Sequence, residues 1–163
     1  LAATSNKKIG VLGTKATVAA RSYAKVLHEL DKTISVYQAA CPLLVPLVEE
    51  GWEDDPLTNL VIYRYLQPIL TAGIDTLILG CTHYPSLREA FTKVAGNGVT
   101  LVDSSHAISE LIKADFTSGR IDPSGKTQGF KLLTTDISPG FHEVATRLLA
   151  PSPAPELIAV DIS

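Results

Sequence analysis

Cys81, Thr82 and His83 stand side by side in a short polar turn, Gly80-Cys81-Thr82-His83-Tyr84-Pro85, between an apolar run and a proline. A thiol in such a turn has a glycine-assisted bend before it, backbone N–H groups of a following helix beside it and an imidazole two residues away. All three favour thiolate over thiol. A thiolate so placed can serve as general base or as nucleophile. The plainer reading is a buried structural cysteine with a loop histidine next to it, since cysteine is among the most buried residue types. Cys41, the only other cysteine, lies in Ala39-Ala40-Cys41-Pro42 with apolar neighbours and no nearby cation, and is expected to be an inert, buried thiol.

Other polar residues fall just past candidate strands. Thr14 and Thr17 follow Lys8–Gly13, where hydroxyls and a helix start can hold a carboxylate; capping that helix is the simpler role for at least one of them. Asp103, Ser104, Ser105 and His106 follow another strand and read first as helix-capping residues. Glu49, Glu50, Glu53, Asp54 and Asp55 form an acidic stretch that reads as a solvated edge, although one of them could reach the Cys81 cleft as acid or base. Gly10 and Gly13 do not make the G-x-G-x-x-G dinucleotide fingerprint, and Walker A, C-x-x-C and G-x-S-x-G patterns are absent. Cys81, His83 and His106 lack the spacing of metal ligands, so no metal site is expected.

Alternating strands and helices must position these groups. Lys8–Gly13 is a short β-branched run ending in glycine, and 15–30 carries apolar residues at helical spacing. Thr33–Gln38 reads as a strand and Pro42–Glu50 as a short turn or helix. Pro56–Ala72 reads as a helix with Asp54 or Asp55 as cap, Pro56 at its first position and Pro68 in its last turns. Ile74–Gly80 is the most strand-like run, apolar enough to be buried on both faces. Helix 85–94, strand 99–103, helix 105–116, strand 131–135, helix 138–149 and strand 156–162 follow, with loops at 117–129 and 150–155. This alternation predicts an α/β fold: a parallel sheet flanked by helices on both faces. Ligands of such sheets bind beyond the carboxyl ends of the strands, where the residues above lie.

The composition fits a soluble globular chain, with 45% hydrophobic and 19% charged residues among 163. A net charge of -3 offers no field for nucleic acid or an anionic membrane, and no apolar run is long enough to span a bilayer. Two cysteines do not make a disulfide scaffold, so a reducing compartment, the cytoplasm, is expected. A chain without methionine that begins at Leu1 is expected to be a fragment.

Three blocks, IGVLGTKAT (9–17), ACPLLVPLVEEG (40–51) and DTLILGCTHYPSL (75–87), and the tail LLTTDISPGFHEVATRLL (132–149), occur in the order found in the second half of the glutamate racemases. The chain therefore resembles the C-terminal portion of that family, within the aspartate/glutamate racemase superfamily. The resemblance implies cofactor-independent interconversion of L- and D-glutamate, with the D-isomer feeding bacterial peptidoglycan and so cell-wall biogenesis and cell shape. Two thiols exchange the base and acid roles on opposite faces of the α-carbon. It matches Cys81 to the second catalytic cysteine, Thr82 to a substrate-binding neighbour, His83 to the histidine assisting that cysteine and Glu49 to an assisting acid, with Glu50 the neighbour to test if Glu49 proves silent.

The first cysteine's C-N-T-A-like motif, the D-S-G-V-G-G-like segment and the P-Y-G turn of the family are missing, and Cys41 matches none of them. The resemblance thus implies that residues 1–102 form the second of two facing α/β domains and 103–163 a segment completing the first. Such a fragment would be inactive without the N-terminal half, and would expose apolar surface on 103–163. The intact protein would be a candidate homo-oligomer. Two other functions fit the residues: a thiol-dependent hydrolase or amidase with Cys81 as nucleophile and His83 as base, and a non-catalytic module that binds an amino acid or a protein.

Overall fold

In the computed structural model, residues 1–122, 124, 131–135, 137–150, 152 and 156–162 are described. Four apolar strands, β1 (Lys8–Gly13), β2 (Ser35–Ala40), β3 (Thr76–Gly80) and β4 (Thr100–Asp103), form one sheet in the order β2-β1-β3-β4. Every neighbouring pair is parallel, with Val11 opposite Gln38 on one side and Ile78 on the other. Strands paired this way need crossovers, and the chain supplies them as helices. These are α1 (Lys15–Ala20) and α2 (Ser22–Leu30), then α3 (Leu44–Glu49) and α4 (Pro56–Thr71), then a 3₁₀ turn (Tyr84–Leu87) running into α5 (Arg88–Ala95).

Strand alternation sends side chains to two separate cores. Leu12, Leu77 and Leu79 pack with Leu44, Val48, Ile62, Leu66, Ile69 and Phe91 of α3, α4 and α5. Ile9, Val11 and Ile34 pack with Leu27 of α2, closed by Tyr23, Val36 and Ile78. Helices therefore cover both faces, as the pattern predicts. Gly10 makes the larger core possible: a Cβ there would lie 2.7 Å from Ile74 Cδ1 and 2.8 Å from Ile69 Cγ2, so only glycine lets these side chains come so close to β1.

Several elements differ from the expectation. The helix expected over 15–30 is two helices, broken at Arg21, which sits in the left-handed region at φ 53°. The second strand runs over Ser35–Ala40 rather than 33–38, because Thr33 is taken up by Asp31, accepting its N–H at 2.8 Å and its hydroxyl proton at 2.7 Å. β3 starts at Thr76, since Asp75 just before it accepts hydrogen bonds from Thr4, Ser5, Asn6 and Thr76.

The chain divides into two compact units, Leu1–Asp115 and Phe116–Ser163. α6 (Ser104–Thr117) starts directly after β4 and has no buried residue. In the second unit β5 (Lys131–Thr134) pairs in parallel with β6 (Glu156–Ala159), and α7 (Pro139–Leu149) is capped by the Ser138 hydroxyl. Most of the expected loops at 117–129 and 150–155 lie outside the described residues. No helix among the described residues is long and apolar enough to cross a membrane.

Candidate active site

The strand order reverses direction at β1. From there the chain steps outward to β2, then back across to β3 on the other side. Between the carboxyl ends of β1 and β3 the departing loops part, which is where open α/β sheets bind ligands. A cleft of about 300 Å³ opens there, lined by Thr14, Thr17, Tyr23, Gly80, Cys81, Thr82 and Ser104.

Each wall has a local cause. Thr14 leaves β1 in extended backbone and caps α1, accepting the Thr17 N–H at 3.2 Å, while the two hydroxyls lie 2.9 Å apart. Capping is thus the role seen for Thr14, and both threonines still face the cleft. Gly80 ends β3 where a Cβ would come within 2.9 Å of the Leu12 carbonyl oxygen and of the Tyr23 ring. Its missing side chain lets Tyr23 close that wall. Cys81 follows, half-buried, and Tyr84 N–H donates back to its carbonyl at 3.2 Å. The Tyr84 ring is fully buried against Phe91, and its hydroxyl donates to the Cys41 carbonyl at 3.1 Å, tying the two cysteine turns together.

Cys41 itself is fully buried, and burial pushes its thiol up to about 12. It remains protonated at neutral pH, as an inert thiol should.

His83 and Glu49 do not line this cleft; they pair with each other. His83 Nε2 lies 3.4 Å from Glu49 Oε1, and Nδ1 lies 3.4 Å from the Thr82 hydroxyl. Glu49 closes α3, and Glu50 caps it by donating its N–H to Pro46, so it is Glu49 that meets the histidine. Among the described residues His83 makes no hydrogen bond to Cys81. No group of three or more His, Cys, Asp and Glu side chains among them could hold a metal ion, so Cys81, His83 and His106 do not assemble into one.

Two residues of the cleft were not singled out as ligand-binding in the sequence. Tyr23 falls there within the 15–30 stretch of helical apolar spacing, and Ser104 reads as one of several cap candidates. The cap is Asp103. Its Oδ1 accepts the His106 N–H at 2.8 Å and the Ser105 hydroxyl at 2.6 Å, and its other oxygen pairs with Arg88, which also donates to the Leu101 carbonyl at 3.3 Å. Burial works against the Asp103 charge, but the bonds from Ser105 and His106 and the Arg88 guanidinium outweigh it and hold the carboxyl below the usual range. With Asp103 fixed inward, Ser104 turns to the cleft.

Residues 1–112 match the Asp/Glu/Hydantoin racemase family. The chain belongs to that family. It is 45% identical over 144 residues to a glutamate racemase of Sulfurihydrogenibium, covering 88% of this chain and 53% of that protein. A glutamate racemase from Bacillus anthracis superposes with a TM-score of 0.83 at 33% identity, over 98% of this chain and 59% of that one. One from Francisella tularensis, solved in complex with D-glutamate, does so with 0.81 at 30% identity, over 95% and 58%. The chain thus spans little more than half the length of the relatives it matches.

Proposed function

We propose that this racemase-family chain contributes one of two acid–base thiols to the interconversion of L- and D-glutamate. The observation that carries the reading is the contrast between the two cysteines: Cys81 lines a cleft at the switch point of the sheet, whereas Cys41 is sealed in the core. As thiolate, Cys81 removes the α-proton of one enantiomer and becomes a thiol; an acid on the opposite face returns a proton to the carbanion, and the roles exchange for the reverse direction. The substrate class rests on the similar racemases, one of them described with D-glutamate.

Thr14, Thr17 and Thr82 supply hydroxyls to hold the amino acid beside the sulfur, and His83, on the turn after Cys81 and paired with Glu49 at the end of α3, is its assisting group. Cys41 cannot be the second acid, so that group comes from the part of the relatives' length that this chain does not span. In this reading residues 1–102 are the second of two facing domains and 103–163 complete the first. No cofactor is required, the fragment alone is inactive, and the product serves peptidoglycan synthesis in the cytoplasm. Wash-in of solvent deuterium at the α-carbon tests it in a protein that joins this chain to the part of its relatives that it does not span. Cys81→Ser is expected to cut exchange and racemisation about 10²- to 10⁴-fold, the usual worth of a positioned acid–base group; undiminished activity removes the assignment. The hydrolase reading gains nothing from the geometry, because His83 faces Glu49 rather than the thiol.

A further inference from the structure

Gly13 of β1 and Gly80 of β3 are partners in the parallel register at the end of the sheet. A Cβ on Gly13 would lie 2.9 Å from Thr17 Cγ2, and one on Gly80 would lie 2.9 Å from Tyr23 Cε2 and 3.2 Å from Cζ. The two glycines thus clear a floor on which one side chain from α1 and one from α2 lie. Tyr23 reaches it because the helix breaks at Arg21, so that α2 begins at Ser22 and its first turn meets the end of β3. Cζ carries the phenolic oxygen. It is therefore the hydroxyl end of the ring that rests on Gly80, one residue before Cys81. For the fold that hydroxyl is superfluous: the ring packs against Ile9, Val11, Leu27 and Ile34, and phenylalanine would fill the same space. The Tyr84 hydroxyl is taken up by the Cys41 carbonyl, but among the described residues the Tyr23 hydroxyl has no partner, and Tyr23 lines the cleft.

The cleft needs such a donor. None of the described residues that line it carries a positive charge, whereas an acidic amino acid brings two carboxylates, which neutral donors must then meet. The Thr14 and Thr17 hydroxyls lie 2.9 Å apart, so one hydrogen is used between them, and the Thr82 hydroxyl lies 3.4 Å from His83 Nδ1. A phenol donates one hydrogen bond without carrying charge. Building on the reading of Cys81 as an acid–base thiol, we propose that Tyr23 is a substrate-binding residue, its hydroxyl donating to a carboxylate oxygen of the amino acid and holding it beside Cys81.

Alkylation of Cys81 in the 163-residue chain tests this independently of racemisation. Iodoacetate and iodoacetamide present the same carbon to the thiolate, which displaces iodide from either, but only iodoacetate carries a carboxylate. The ratio of the two rates at Cys81, followed by mass spectrometry, cancels the reactivity of the thiol itself. Tyr23→Phe keeps the ring and removes the donor. It is expected to lower the iodoacetate rate roughly 10-fold, the usual strength of a hydrogen bond to a charged group, and to leave the iodoacetamide rate within about twofold. Far-UV circular dichroism checks that the variant is folded. An unchanged ratio overturns the proposal, and so does an equal fall in both rates, which would mean that the ring shapes the surroundings of the thiol and holds no anion. In a protein that joins this chain to the part of its relatives not spanned here, Tyr23→Phe should raise the KM for glutamate roughly 10-fold with a smaller effect on kcat; a fall in kcat alone overturns the proposal. Should the joined protein without substitution racemise nothing, the acid–base reading of Cys81 is lost, and the alkylation ratio still decides whether Tyr23 holds a carboxylate.

Discussion

At the scale of single residues, the most consequential group outside the cleft is Asp103, 3% exposed and carrying three hydrogen-bonded or ionic partners beneath Ser104. Removing its carboxylate strands the Ser105 and His106 donors and the Arg88 guanidinium together. Asp103→Ala is expected to cost about 2–4 kcal/mol in urea denaturation, and Arg88→Ala less, about 1 kcal/mol, because Arg88 is partly exposed and the other partners remain. The pH dependence has a definite sign. Asp103 is held below the ordinary carboxylate range in the folded chain, so its stabilisation is complete above the unfolded value near ~3.9 and is lost as pH falls through the lowered folded value. The Asp103→Ala variant should therefore lose less stability than the parent between pH 5 and the acid limit, roughly the interval over which such a carboxylate titrates. The capping role of Asp103 was legible in the sequence, but its pairing with Arg88 was not: the two meet only because α5 returns alongside β4. The half-buried thiol lining the cleft and the fully buried one could also be told apart from their neighbours, polar around Cys81 and apolar around Cys41.

At the scale of elements, the strands were legible because buried parallel strands are short, apolar and bounded by glycine or polar residues. The parallel α/β class followed from their alternation with helices. What escaped was local backbone detail. The apolar stripe from Val18 to Leu30 continues through the break at Arg21, and an arginine gives no hint of left-handed backbone, which it adopts at φ 53° only because the Arg21 N–H closes α1 on the Val18 carbonyl. That conformation is strained for any residue with a Cβ. Arg21→Gly is expected to stabilise the chain by up to about 1 kcal/mol, the strain relieved outweighing glycine's greater unfolded-state entropy. A rise in the denaturant midpoint without a change in slope would show it; a loss of stability would mean that the long arginine stem contributes packing that the break needs. The same short helix carries Thr17 into the cleft, so the break at Arg21 is one of the features that shape the binding wall.

At the scale of the whole molecule, the two compact units are built to different standards. The first holds four strands between two helical layers and nearly all of the buried apolar side chains. Within the second, Ala145 is the buried hydrophobic residue among those described, while Leu133, Ile137, Phe141, Leu148 and Ile162 are exposed. Its sheet is a single parallel pair, and among the described residues neither β5 nor β6 has a further neighbour. A hollow of about 610 Å³ lies along the strand ends at Thr135 and Ala159–Ile162. Two parallel strands cannot bury enough surface to hold themselves together in water, because parallel pairing is weak and unpaired edges compete for solvent. If residues 103–163 complete a domain whose other strands lie in the part of the relatives not spanned here, their protection should depend on that part. Amide exchange is therefore expected to show β1 and β3 as the slowest-exchanging strands of the 163-residue chain, with β5 and β6 exchanging orders of magnitude faster, near the rate of local opening. In a protein that joins this chain to the part of its relatives not spanned here, β5 and β6 should gain protection while β1 and β3 change little. Equal protection of all six strands in the shorter chain would mean that the second unit is self-sufficient, and would remove the argument that it awaits the rest of a domain.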